Sequence, residues 1–157
     1  ERGHFKMDNV TIRVMKPEDY EGIYRLWCSI KGLGIRSIDD SETNIVNFIR
    51  RNPTTSFVAE CEGNIVATLM CGHDGRRASF YHVCVDVEFR KKGIATQMAE
   101  KALEALKKEG INKVNLMAFK DNATGNKFWK DLGWYIRDDV NLYEYNLNEN
   151  NITNFVR

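Results

Sequence analysis

Val83-Cys84-Val85-Asp86-Val87-Glu88-Phe89-Arg90-Lys91-Lys92-Gly93-Ile94-Ala95-Thr96 is the stretch that decides how this chain of 157 residues folds. Residues 83–85 form an apolar strand pattern that enters a basic, glycine-containing turn. Beyond it Ile94, Ala95, Met98, Ala102 and Leu106 recur at helical spacing, and Gly110 supplies the stop. The first turn of a helix has unpaired backbone amides and the positive end of the helix dipole, and a glycine lets the backbone come close to a bulky anion. With Arg90, Lys91 and Lys92 beside it, the passage reads as a seat for a pyrophosphate. The plain alternative is a surface turn ahead of an amphipathic helix.

Upstream, residues 10–15 alternate as a strand, and Pro17 opens a helix whose apolar stripe is Tyr20, Ile23, Tyr24 and Trp27. Residues 31–40, with Gly32 and Gly34 and no periodicity, read as a loop able to shape a pocket. Ser41 starts a second helix carrying Ile45, Phe48 and Ile49, and Pro53 marks its end. Residues 56–61 and 64–71 form a hairpin, and the turn 72–77 leads to a strand over 79–85. Downstream come a strand over 113–119, a short helix over 123–132, and two final strands over 134–136 and 141–147. Residues 148–157 form a polar tail expected to fray.

Composition narrows the classes of function. At 18.2 kDa and 43% hydrophobic residues the chain suits one domain, over residues 7–147. Residues 1–6 precede Met7, a candidate natural start, and are expected to be extraneous. A net charge of +1 with no basic stripe argues against a nucleic-acid partner, and the lack of a membrane-length apolar run or secretory core points to a cytoplasmic protein off the membrane. Cys28, Cys61, Cys71 and Cys84 have no metal-ligand spacing, so no metal is expected and all four are predicted to be buried free thiols.

The order strand, two helices, three strands, helix, strand, helix, two strands, together with Arg90-Lys91-Lys92-Gly93-Ile94-Ala95, resembles the GNAT family of N-acetyltransferases and its Q/R-x-x-G-x-G/A motif. Asn122, then Phe128-Trp129, then Leu132-Gly133-Trp134 resemble a second piece of the same family. The resemblance covers residues 10–147. It implies an α/β fold with a mixed, mostly antiparallel sheet of about seven strands flanked by four helices, and acetyl-CoA as acyl donor. It also implies a primary amine of a small molecule or peptide as acceptor, and it leaves a homodimer open. In such a protein, strands around residues 83–85 and 116–118 diverge at a bulge to admit the pantetheine arm along Val83, Cys84 and Val85. The amides of Lys91, Lys92, Gly93, Ile94, Ala95 and Thr96 would hold the pyrophosphate, Asn122 would bond the pantetheine, and the Val83 amide would polarise the thioester carbonyl.

The pair that would move protons departs from the family pattern. Where a glutamate can stand as base this chain has Met117, and Trp129 replaces the frequent tyrosine acid, although Trp129 keeps its place beside the cofactor. Tyr81 and His82 are the alternatives. Strand alternation puts them on opposite faces and groups Tyr81 with Ser79, Val83 and Val85, while imidazole is the better base as a residue type. Each has an equally plain reading as a packed or hydrogen-bonded core residue. The family transfers the acyl group directly, so Cys84 is not expected to be a nucleophile. His73-Asp74-Gly75-Arg76-Arg77 resembles an H/Y-D-G-x-R hairpin of a bacterial subgroup; it reads first as a turn with a solvated edge, and its arginines could alternatively meet an acidic substrate or a CoA phosphate. A protein that binds acyl-CoA without turnover is the alternative reading of the whole chain.

Overall fold

A computed structural model describes residues 9–157. Its main sheet holds β1 (Val10–Val14), β3 (Phe57–Cys61), β4 (Asn64–His73), β5 (Ala78–Val85) and β6 (Val114–Leu116), in that order. All pairs are antiparallel except β5 with β6. β2 (Gly34–Arg36) and β7 (Thr153–Phe155) form a separate antiparallel ribbon. The helices are α1 (Tyr20–Ser29), α2 (Glu42–Arg51), α3 (Ile94–Lys108) and α4 (Ala123–Asp131). Among the described residues this makes four helices and seven strands, divided five and two rather than joined in one sheet.

The period-2 pattern of the strands separates two apolar layers. Phe57, Ala59 and Cys61 of β3 face the α3 layer, built on Ile94, Met98, Ala102 and Leu106. Val58 faces the other layer with Ile23, Leu26 and Trp27 of α1 and Ile45 and Ile49 of α2. Helix α2 starts where Ser41 accepts from the Asn44 amide at 3.4 Å. It docks on β4 at Gly72, where a Cβ would come within 2.8 Å of the Phe48 ring.

Several expectations need correcting. Residues 134–136 and 141–147 form no strands: the chain from Tyr135 to Asn150 is irregular and exposed. The tail does not fray but contributes β7, and the expected loop 31–40 contains its partner β2. The strand expected over 113–119 shortens to β6 because, among the described residues, nothing pairs beyond Leu116. In α1 the buried stripe is Ile23, Leu26 and Trp27, leaving Tyr24 outside; Cys28 is exposed, whereas Cys61, Cys71 and Cys84 are buried. The segment ahead of Met7 lies outside the described residues.

Candidate active site

Parallel pairing of β5 with β6 ends at Phe80 opposite Leu116, while β5 continues for five more residues. A gap therefore opens along residues 81–85, as the resemblance implies. On its other edge, β5 pairs with β4 through Tyr81 with Met70 and Cys84 with Thr68, so His82 and Val83 together face Leu69 alone. This is a β-bulge, and His82 carries its strain at φ 45°, a conformation that costs a non-glycine residue about 1–3 kcal/mol.

The bulge changes which side chains share a face. Tyr81 meets Phe48 of α2 edge-on at 6.0 Å, and the His82 ring lies 4.5 Å from Trp27 of α1, so both point to the α1–α2 layer. Val83 and Val85 pack with the α3 layer. Regular alternation predicted the two candidates on opposite faces and Tyr81 with Val83; the extra residue at the bulge overturns both.

His82 is fixed from three sides. Its Nε2 lies 3.0 Å from Oδ1 of buried Asp40. Its carbonyl accepts from Thr68 Oγ1 at 2.8 Å, and Thr68 in turn accepts from Trp27 Nε1 at 3.0 Å. Asp40 is itself anchored, since its Oδ2 accepts from the Arg36 amide and its carbonyl from the Tyr20 hydroxyl, each at 2.8 Å. With Asp40 ionised, Nε2 carries the proton and Nδ1 holds the free lone pair. Nδ1 has no protein partner among the described residues and is not sealed from solvent. Sequence reasoning missed Asp40 and Thr68: a buried aspartate at the end of an aperiodic loop gives no local signal of the histidine 42 positions away.

The basic turn is shaped for an anion. Lys91 (φ 61°) and Gly93 (φ 82°) are both left-handed and curl the backbone into the start of α3, where the amides of residues 91–96 find no backbone acceptor among the described residues. Lys91 and Lys92 are exposed, with no acidic partner among the described residues. Arg90 instead folds back, its Nε donating to the Val85 carbonyl at 3.0 Å. Asn122 caps α4 by accepting from the Gly125 amide at 3.0 Å, which leaves its Nδ2 to donate elsewhere. Trp129 stacks near Phe80, Phe128 and Trp134, forming an aromatic floor where β5 and β6 part. Met117 is exposed just past β6. Cys84 lies under the sheet with its Sγ 3.3 Å from Thr68 Oγ1, and burial pushes its thiol up to about 11, so it holds no thiolate at neutral pH.

Two pockets flank the pair. One of about 610 Å³ runs from Tyr81 towards the β4–β5 hairpin, and one of about 430 Å³ reaches Asp40 from Tyr20 and Arg36.

The profile of the acetyltransferase (GNAT) family matches residues 20–134, from α1 through the whole gap. The chain belongs to that family. It is 34% identical to an acetyltransferase of Pectobacterium atrosepticum and 31% identical to one of Sodalis glossinidius. Each alignment covers 83% of this chain, and 92% and 91% of the relative respectively. The PaiA N-acetyltransferase of Thermoplasma acidophilum, solved in complex with coenzyme A, shares the fold at a TM-score of 0.70 over 92% of this chain and 96% of its own, at 16% identity. This chain is accordingly an acyl-CoA-dependent acetyltransferase. The open edge of β5 and the unpaired amides ahead of α3 suit the donor's extended arm and pyrophosphate. Among the described residues, no helix is long and apolar enough to cross a membrane.

Proposed function

We propose that this acetyltransferase moves the acetyl group of acetyl-CoA directly to a primary amine of a small molecule or peptide, with His82 as the base. The observation that carries the reading is the His82–Asp40 pair, locked in a strained bulge beside the unpaired edge of β5. Acetyl-CoA supplies an activated acyl group, but an ammonium ion has no lone pair to attack it, so a proton must first leave. His82 Nδ1 takes that proton, directly or through water, while Asp40 holds Nε2–H and stabilises the imidazolium that forms; the amine nitrogen then bonds to the carbonyl carbon, the C–S bond breaks, and coenzyme A leaves as a thiolate that takes up the second proton lost by the nitrogen. The Val83 amide polarises the carbonyl under attack, residues 91–96 hold the pyrophosphate, and Asn122 Nδ2 donates to the pantetheine arm.

Thiol release over a broad amine and peptide panel tests this. His82→Ala should lower kcat about 100-fold or more with acetyl-CoA affinity unchanged, and Tyr81→Phe should retain most activity. The reverse result passes the role to Tyr81. Acetyl-CoA uptake with no amine ever modified would favour the silent binding module, the reading that Met117 and Trp129 support by standing where an acid and base could be.

The same reading includes a homodimer. Leu142, Tyr143, Tyr145 and Leu147 are 69%, 87%, 88% and 95% exposed. Such a run of exposed apolar side chains is of the kind that marks an interaction surface. The strand-like alternation of 141–147 and the open edge of β6 make a second copy the natural occupant. Light scattering should give twice the chain mass.

A further inference from the structure

The larger pocket has a charge pattern that neither the donor nor the His82 pair accounts for. Arg51, from the last turn of α2, and Arg77, from the β4–β5 hairpin, both line it, and neither has an acidic partner among the described residues. Its one lining acid, Asp74, is committed to its own turn: Oδ1 accepts from the amides of Arg76 and Arg77 at 2.8 and 2.9 Å. The elements that carry the two arginines to this pocket are tied to each other. Buried Asn52, which follows Arg51, accepts from the His73 amide at 2.9 Å and so ties the end of α2 to the hairpin. Gly72 meanwhile lets Phe48 lie directly on β4.

Position separates this pocket from the donor's phosphates. Ala78 and Val85 stand at opposite ends of β5, roughly 23 Å apart at the rise of an extended strand, and the amide-rich turn follows Val85. The pocket begins at Ala78 and ends at Tyr81, beside the bulge, which places it on the acceptor's side of the reacting centre. From Ala78 to His82 is roughly 13 Å of strand. Unpaired guanidinium groups over an apolar floor of Phe48 and Tyr81 match planar or tetrahedral oxyanions that accept two hydrogen bonds at once.

We infer that the pocket between the end of α2 and the β4–β5 hairpin binds the anionic end of the acceptor, so that the preferred substrate is a primary amine bearing a carboxylate or phosphate held by Arg51 and Arg77. The inference rests on the acetyl-transfer reading for the amine and on the pocket alone for the anion.

Matched acceptors test it: 5-aminopentanoate against its carboxamide, 2-aminoethyl phosphate against ethanolamine, and a short peptide with glutamate second against the same peptide with glutamine. In each pair that is turned over, the anionic member should win by about tenfold or more in kcat/KM, the gain lying in KM. Which pair shows the largest ratio tells a small carboxylate, a phosphate and a peptide apart. Arg51→Gln with Arg77→Gln should erase the preference and leave acetyl-CoA affinity unchanged. Calorimetry with 5-aminopentanoate and 2-aminoethyl phosphate, without acetyl-CoA, provides an arm independent of turnover: uptake should be seen and should vanish in the double variant. Equal use of both members of every pair, no uptake of either anion, or a preference that survives the double variant overturns the inference. Failure of acetyl-CoA to bind would sink the transfer reading instead and leave the calorimetric arm to decide the pocket.

Discussion

Around the bulge of β5 each side chain is tied to another element, His82 to Asp40 and Trp27, Thr68 to Trp27 and to the His82 carbonyl, Tyr81 to Phe48. Across the gap, the chain from Met117 to Asp139 holds itself mostly through local contacts: Asn122 on Gly125, Asn126 on the Phe119 carbonyl, Arg137 on Asp139. It touches the rest through an aromatic floor and the Phe119–Phe155 contact. One wall of the site is therefore over-determined and able to store the strain of a left-handed histidine. The other is lightly held, and on the proposed reading it is the side along which the cosubstrate enters and leaves.

The first way to break this contrast is to cut the rigid wall. Trp27→Ala removes a fully buried ring and leaves Thr68 without its donor, so it should cost about 3–5 kcal/mol in urea unfolding. A loss under about 1 kcal/mol would show that the wall is no better packed than the surface.

Alkaline pH should weaken the same wall more gently. Burial pushes the Cys71 thiol up to about 12 and that of Cys84 to about 11, from an ordinary value of 9.0. The folded state thus holds these protons more tightly than the unfolded state. Their stabilisation is complete below pH 9 and is lost as pH rises from there towards 11–12. The urea midpoint should fall between about pH 8.5 and pH 10.5, and the fall should shrink in a Cys84→Ala variant. A flat profile would mean that the thiols are not sealed in. Under native conditions exposed Cys28 should alkylate well before the other three.

The smallest effect belongs to the loose wall. Tyr143→Ser should leave the stability of the single chain within about 0.5 kcal/mol, because its ring packs on little. It should nonetheless raise the dimer's dissociation constant in light-scattering dilution. A large drop in chain stability would place Tyr143 in a core that the structure does not have.

What could be read in the sequence follows the same division. The strand into α3, the Ser41 cap and the β3–β4 hairpin were legible because each is set by neighbours: helical spacing, a capping hydroxyl, a glycine-bearing turn. Residues 141–147 alternate like a strand, yet alternation only makes a strand possible; a strand must also pair, and among the described residues none pairs with 141–147. β2 and β7 are three residues each, too short for a pattern, and meet across more than a hundred positions, with Gly34 opposite Phe155. At the site the curled turn into α3 was legible from Gly93 and the helical spacing after it. Alternation misplaced His82 relative to Tyr81, because a bulge forms through pairing with β4 and leaves no local mark. Asp40 came only with the fold.

If the open edge of β5 and the curled amides ahead of α3 grip acyl-CoA, acetyl-CoA titrated calorimetrically into the wild type and Gly93→Val will register the loss of that grip. Gly93 sits at φ 82°, a conformation that valine resists, so the substitution should pull the amides of residues 91–96 out of register. The wild type should take up one acetyl-CoA per chain and the variant should bind it at least about tenfold more weakly, with the fold retained by circular dichroism. No uptake by the wild type, or equal affinity in both proteins, would contradict it.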